Sequence, residues 1–134
     1  NTSFCGFLTP DDENGKRYFL NLGNGVRSEF ETPTGSVTIG RFFFSEAAFA
    51  EGNAVIHEFV NSESVQREKI LVVDEIGPLE LREDSGFRIG LNSLLSAQLE
   101  GTCAILVVRP ELADQLEQLV RQNGNETVVV SDRE

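Results

Sequence analysis

Two kinds of apolar pattern divide this chain. Near the N-terminus the apolar runs are short and interrupted by turn residues. Residues 3–9 read as a strand, the polar run 10–15 closes on Asn14-Gly15, and 16–22 read as the partner strand. Asn-Gly is the strongest short hairpin signal, because both positions tolerate positive φ. Gly23-Asn24-Gly25 turns the chain into 26–31, and after the loop 32–35 residues 37–44 read as extended. This part is an antiparallel meander.

From Ser45 the spacing changes. Ser45 is a good N-cap and Glu46 suits the first turn of a helix over 45–61. Phe49, Ile56, Phe59 and Val60 recur there at helical spacing, while Gly52 and Asn53 weaken the middle. Ile70-Leu71-Val72-Val73 is a continuous, mostly branched run, the pattern of a strand buried on both faces in a parallel sheet. It runs into Asp74-Glu75 and a Gly77-Pro78 turn. Asp84 or Ser85 then caps a helix with the stripe Phe87, Leu91, Leu94 and Leu95, ended by Gly101. Cys103–Val108 is a second continuous buried run. Pro110 opens a helix carrying Leu112, Leu116, Leu119 and Val120, which stops near Asn123-Gly124, and 127–130 form a last strand. Strand-helix-strand-helix-strand from Ile70 onward predicts an α/β chain: a parallel core with right-handed crossovers behind an N-terminal antiparallel meander.

Length and charge narrow the field. The 134 residues form one domain, with a β-rich part at 1–44 and an α/β core at 45–134. Twenty-two acidic against 11 basic residues give a net charge of −11. Apart from Lys16-Arg17 no two basic residues are adjacent, which argues against nucleic acid as the main ligand and disfavours anionic membranes. With no signal peptide and no long apolar run, the cytoplasm is the expected compartment. Cys5 and Cys103 each sit inside an apolar run and read as small buried hydrophobes rather than a disulfide. The chain holds no methionine, so residue 1 need not be the start of the polypeptide.

Candidate chemistry centres on Asp74-Glu75, since open α/β sheets place ligand crevices at the carboxyl ends of their strands. Glu80, Glu83 and Asp84 follow closely, and a solvated acidic loop is the expected reading over a metal site. His57, the only histidine, has no second soft ligand beside it and reads as a helix-surface residue. Residues 10–17 mimic the spacing of a phosphate-binding loop, with Gly15 and Lys16 in place. Pro10 replaces the first glycine, Arg17 replaces the hydroxyl residue, and three acids lie where N–H groups would face phosphate. It is not a phosphate loop.

The string Asp74-Glu75-Ile76-Gly77-Pro78-Leu79-Glu80-Leu81 at the end of an apolar strand resembles the Walker B segment of the thermophilic-type (cancer-related) nucleoside-triphosphatase family. Gly6-Phe7-Leu8-Thr9, Asn14-Gly15-Lys16-Arg17, Gly40-Arg41-Phe42 and the closing Asp132-Arg133-Glu134 are similar to further family segments. The resemblance implies a P-loop-NTPase-like fold. It implies that Asp74 holds Mg²⁺ when a nucleotide is bound, that Glu75 orients the hydrolytic water, and that Arg133 lies near the nucleotide, with Asp132 standing where the family has Asn. Arg17 is a second phosphate partner to consider. The family's initial strand, Gly-rich phosphate loop and helix have no counterpart in residues 1–134.

Two functional expectations follow. One is a relative that keeps the Walker B scaffold and is non-catalytic or partner-dependent. The other is an active Mg²⁺-dependent triphosphatase, converting a nucleoside triphosphate to diphosphate and phosphate, whose loop lies upstream of residue 1 or on a partner chain. In the family the loop-bearing strand neighbours the Walker B strand, so Ile70–Val73 needs another neighbour here. Residues 3–8 are apolar enough to supply it; a homodimer or a protein partner covering that edge is the alternative.

Overall fold

The computed structural model describes residues 3–62, 69–97 and 102–130. Its main sheet has five strands in the order β3-β2-β1-β6-β7. β1 (Ser3–Leu8), β2 (Tyr18–Asn21) and β3 (Arg27–Glu29) are the expected antiparallel meander. β6 (Lys69–Ile76) runs parallel to β1 on one side and to β7 (Cys103–Val108) on the other. The strand ending in Asp74-Glu75 is therefore paired along both edges, with Ser3–Leu8 as its inner neighbour. This internal arrangement needs no second molecule at Ile70–Val73.

One glycine makes the β1–β6 pairing possible. Gly6 has φ of +105°, and a Cβ there would lie 1.9 Å from the Val72 carbonyl oxygen. Only glycine lets the two backbones approach this closely.

Residues 37–44 are not one extended run. They form a separate two-stranded hairpin, β4 (Val37–Ile39) and β5 (Phe42–Phe44), turning at Gly40-Arg41 with Ile39 opposite Phe42. Gly40 takes φ of +60°, the left-handed geometry such a tight turn needs.

Four helices complete the fold. α1 (Glu46–Asn61) starts on Ser45, whose hydroxyl accepts the Ala48 N–H, and packs against β1. The Gly77-Pro78 pair begins a helix rather than a turn: α2 (Pro78–Glu83) has Pro78 in its first turn, where the missing N–H costs nothing. Asp84 closes α2 in the left-handed region (φ 51°) instead of capping the next helix. α3 (Arg88–Ser96) starts after Phe87 and packs on α1. α4 (Pro110–Gln122) packs on β7 and α2. Among the described residues no helix is long and apolar enough to cross a membrane.

The core lies on one face of the sheet. Phe7, Phe19, Leu71, Val73 and Ile76 meet Phe49, Ile56 and Phe59 of α1, Phe87 before α3 and Leu91 within it, and Leu112 and Leu116 of α4. Phe87 stacks between Phe7 and Phe49, with ring centroids 4.5 and 4.6 Å away. The opposite face is uncovered among the described residues. Registered neighbours share a face, so Phe4, Ile70 and Cys103 form one row and Val72 and Ile105 the next. Phe4, Ile105 and Val107 are 54%, 44% and 42% exposed. The β7 run is thus not buried on both faces as its continuous pattern predicts, and Cys103 is exposed rather than buried.

The segment 127–130 is not a strand here. Thr127 is tied to Glu117 and Arg121 of α4, and Val128–Val130 are exposed without a ladder. A strand needs a neighbour to bond, and the outer edge of β7 is also unpaired among the described residues. The open edge of the parallel sheet lies at β7, not at the Asp74-Glu75 strand.

Candidate functional site

The carboxyl end of β6 gathers the polar groups that the topology brings together. Buried Thr9, just past β1, donates its hydroxyl to the Asp74 carbonyl at 3.0 Å, tying the two parallel strand ends. The Asp74–Glu75 peptide is cis, and the β6–β7 register shifts between Asp74 and Ile76. Asp74 is half-buried and makes no ion pair among the described residues. Burial pushes its carboxyl above the usual range, and the Glu75 charge adds to this; Arg17 and the Thr9 N–H pull the other way.

Glu75 is held differently. One oxygen accepts a hydrogen bond from Arg17 Nη2 at 3.1 Å, the other from Arg109 Nε at 3.3 Å. Arg17 comes from the β1–β2 hairpin. Its N–H donates to the Glu31 carboxylate at 3.3 Å and its carbonyl accepts the Glu31 N–H, so β3's end fixes the arginine's backbone. Arg109 caps the N-terminus of α4 directly after β7. Glu75 is 18% exposed while Arg17 and Arg109 are 33% and 53% exposed. Ion pairs this wet contribute about 0–1 kcal/mol each. The clamp orients groups more than it stabilises the fold.

Glu80 is buried (3% exposed), not part of a solvated acidic loop. Its carboxylate accepts the N–H of Gly77 at 2.7 Å and of Phe87 at 3.0 Å, spanning both ends of the α2 segment. Burial raises its carboxyl above the ordinary value; the two N–H donors oppose the shift. Glu83 and Asp84 are exposed, and no group of three or more His, Cys, Asp or Glu able to hold a metal occurs among the described residues. His57 is exposed on α1 and faces Asn61 and Ser93. The look-alike loop is a hairpin turn whose N–H groups are already taken: Asp12 accepts those of Asn14 and Lys16.

A cleft of about 290 Å³ opens beside this cluster. Arg17, Arg109 and Glu75 line it, together with Ile39, Phe42 and Phe44 of the β4–β5 hairpin. A broader hollow of about 570 Å³ on the outer face of α4, at Asp114, Gln118 and Gln122, is open surface without converging chemistry.

The structure thus brings Asp74, Glu75 and Arg17 together. Asp132 and Arg133 lie outside the described residues. Arg109 and the hairpin's part of the cleft were missed by the sequence reading. A basic residue directly between a strand end and a helix-opening proline is the available signal for Arg109; the hairpin's part has none, because only folding brings the hairpin to the strand end.

A donor set of one carboxylate without an ion pair among the described residues, and with no cage, suits Mg²⁺ only as the ion holds phosphate, keeping waters and one or two carboxylates. Asp74 fits that use, and Glu75, being clamped, does not serve it as it stands.

Neither a family model nor a curated protein matches the sequence. Among solved structures, THEP1 from the hyperthermophile Aquifex aeolicus is similar over 92% of this chain and 72% of its own, with a TM-score of 0.67 and 16% identity. At that identity the likeness speaks for architecture alone, an α/β fold of parallel strands flanked by helices with antiparallel strands beside them.

Proposed function

We propose that this chain carries the Walker B half of a nucleoside-triphosphatase-like site and is inactive until a phosphate-binding element joins it. Asp74 would hold Mg²⁺ with the nucleotide, and Glu75 would orient the attacking water. One observation carries the reading: an Asp-Glu pair ends the middle strand of three parallel strands, in a fold like that of THEP1. Phosphoryl transfer depends on positioned N–H and cationic donors around the transferred group. Among the described residues two arginines stand there, both on Glu75. The missing donors would come from a segment ahead of Asn1 or from a partner chain. The free β7 edge and the uncovered apolar face beside it support that reading, since parallel sheets are normally covered on both faces.

The test is hydrolysis of ATP and GTP with Mg²⁺. Residues 1–134 are expected to turn over no faster than an Asp74→Ala/Glu75→Ala control; Mg²⁺-dependent turnover clearly above that control overturns the proposal. A strand, a Gly-x-x-x-x-Gly-Lys-Ser/Thr loop and a helix encoded directly ahead of Asn1 would make the longer polypeptide the active triphosphatase.

A further inference from the structure

We infer that Arg17 and Arg109 are a two-arginine receptor for the phosphates of a nucleoside polyphosphate, for which Glu75 is the resident stand-in, and that the Ile39–Phe42 part of the cleft receives the nucleoside. The inference rests on the proposed function and names a substrate-triggered release within it. Two guanidinium groups from different segments converge on the two oxygens of one carboxylate. That is the donor array a phosphate accepts, because guanidinium N–H pairs match planar carboxylate and phosphate oxygens alike.

Three features set this cluster apart from an ordinary surface ion pair. It lines a cleft instead of a convex surface, and the same cleft takes in the apolar Ile39, Phe42 and Phe44. Phe42 is 45% exposed although it lines that cleft, and the Arg41 guanidinium lies 5.2 Å from its ring centroid. An exposed aromatic in the same cleft as a pair of arginines suits a planar base tethered to phosphate. Thirdly, Glu75 is the group the function requires free. While both its oxygens accept from arginines, those guanidinium groups compete with a water in the cleft for its lone pairs. A phosphate that takes the arginines releases it, so occupancy and activation become one event.

Charge decides the conditions. Asp11, Glu31, Glu75 and the buried Glu80 line the cleft against Arg17 and Arg109, so a bare polyphosphate meets net repulsion. The complex with Mg²⁺ is the form that binds, with Asp74 on the same strand end.

Titration calorimetry with Mg²⁺-tripolyphosphate and with the Mg²⁺ complex of a non-hydrolysable ATP analogue tests this without relying on turnover. Glu75→Gln should bind tripolyphosphate roughly tenfold tighter, since a neutral amide holds the arginines more weakly and does not repel the ligand. Glu31→Gln removes the same charge without freeing a side-chain donor and should gain far less. In an Arg17→Gln/Arg109→Gln background the Glu75→Gln gain should vanish, an interaction that a general charge effect would not give. Phe42→Ser should weaken the ATP analogue several-fold and leave tripolyphosphate unchanged. Each variant is checked for an unchanged melt. Equal gains from Glu75→Gln and Glu31→Gln, or a gain that survives loss of both arginines, overturns the receptor; equal affinity for the two ligands overturns the nucleoside assignment. Tripolyphosphate binding with these signatures but no triphosphatase activity in any longer or assembled form would sink the proposed function and leave the receptor standing.

Discussion

Two carboxylates six residues apart show how environment assigns different work to the same chemistry. Asp74 is raised by burial, lacks an ion pair among the described residues and faces the Glu75 charge. Asp74→Asn is therefore expected to be neutral or stabilising by about 0–1 kcal/mol, the range of ordinary surface changes. Thermal melts with and without Mg²⁺ measure it, and a large loss would reveal a fixed partner for the charge. Glu80 is raised by burial too, yet two buried N–H groups depend on it. Glu80→Ala strands both, at roughly 1–3 kcal/mol each before relaxation, so a loss of about 2–4 kcal/mol is expected in urea titrations. The pH dependence has a definite sign. The folded chain holds the Glu80 proton more tightly than the unfolded chain does. Its contribution is full below the ordinary value of 4.5 and falls as pH rises through the raised folded value. The stability gap between wild type and Glu80→Gln should narrow across that window.

Within α1 the position that weakens the helical pattern is the one the packing demands. Gly52 costs roughly 1 kcal/mol of helix propensity relative to Ala. A Cβ there would lie 2.4 Å from a Phe87 ring atom and 3.0 Å from Phe7. Phe87 is itself stacked between Phe7 and Phe49 and has nowhere to yield. Overpacking of this kind costs about 1–3 kcal/mol, which outweighs the propensity gain. Gly52→Ala should lower the denaturation midpoint; an unchanged or higher midpoint would mean the α1–Phe87 contact is looser than the geometry shows.

The sheet as a unit has one built face and one open one. Leu71 is fully buried on the first, whereas Ile105, on the neighbouring strand and the second, is 44% exposed. Leu71→Ala should cost about 2–5 kcal/mol. Ile105→Lys should stay within about 0.5 kcal/mol, as a change on exposed surface does. Chemical denaturation of the two variants compares them directly. A large loss from Ile105→Lys would show that its face is covered in solution, by a second copy or by a segment outside the described residues.

Much of this protein could be read without coordinates, for local reasons. Asn14-Gly15, Ser45 and Pro110 act through their own φ preferences, hydroxyls and missing N–H, so the hairpin, the start of α1 and the start of α4 stand where the chain predicts them. The branched run 70–73 followed by two acids likewise marks a parallel strand and its crevice end, although Ile70 and Val72, on the uncovered face, are only partly buried rather than enclosed on both faces. Folding alone decided what depends on distant neighbours. Cys103–Val108 reads as buried on both faces, but exposure of one face depends on what lies over it. Residues 127–130 have strand composition, but a strand exists only with a partner to bond. The Glu80 carboxylate looks like its solvated neighbours until Gly77 and Phe87 close around it. Above all, Arg17, Glu75 and Arg109 are separated by 58 and 34 positions, and no spacing rule joins them. Parallel pairing of β1, β6 and β7 does, since it aligns the carboxyl ends of strands that the sequence keeps far apart.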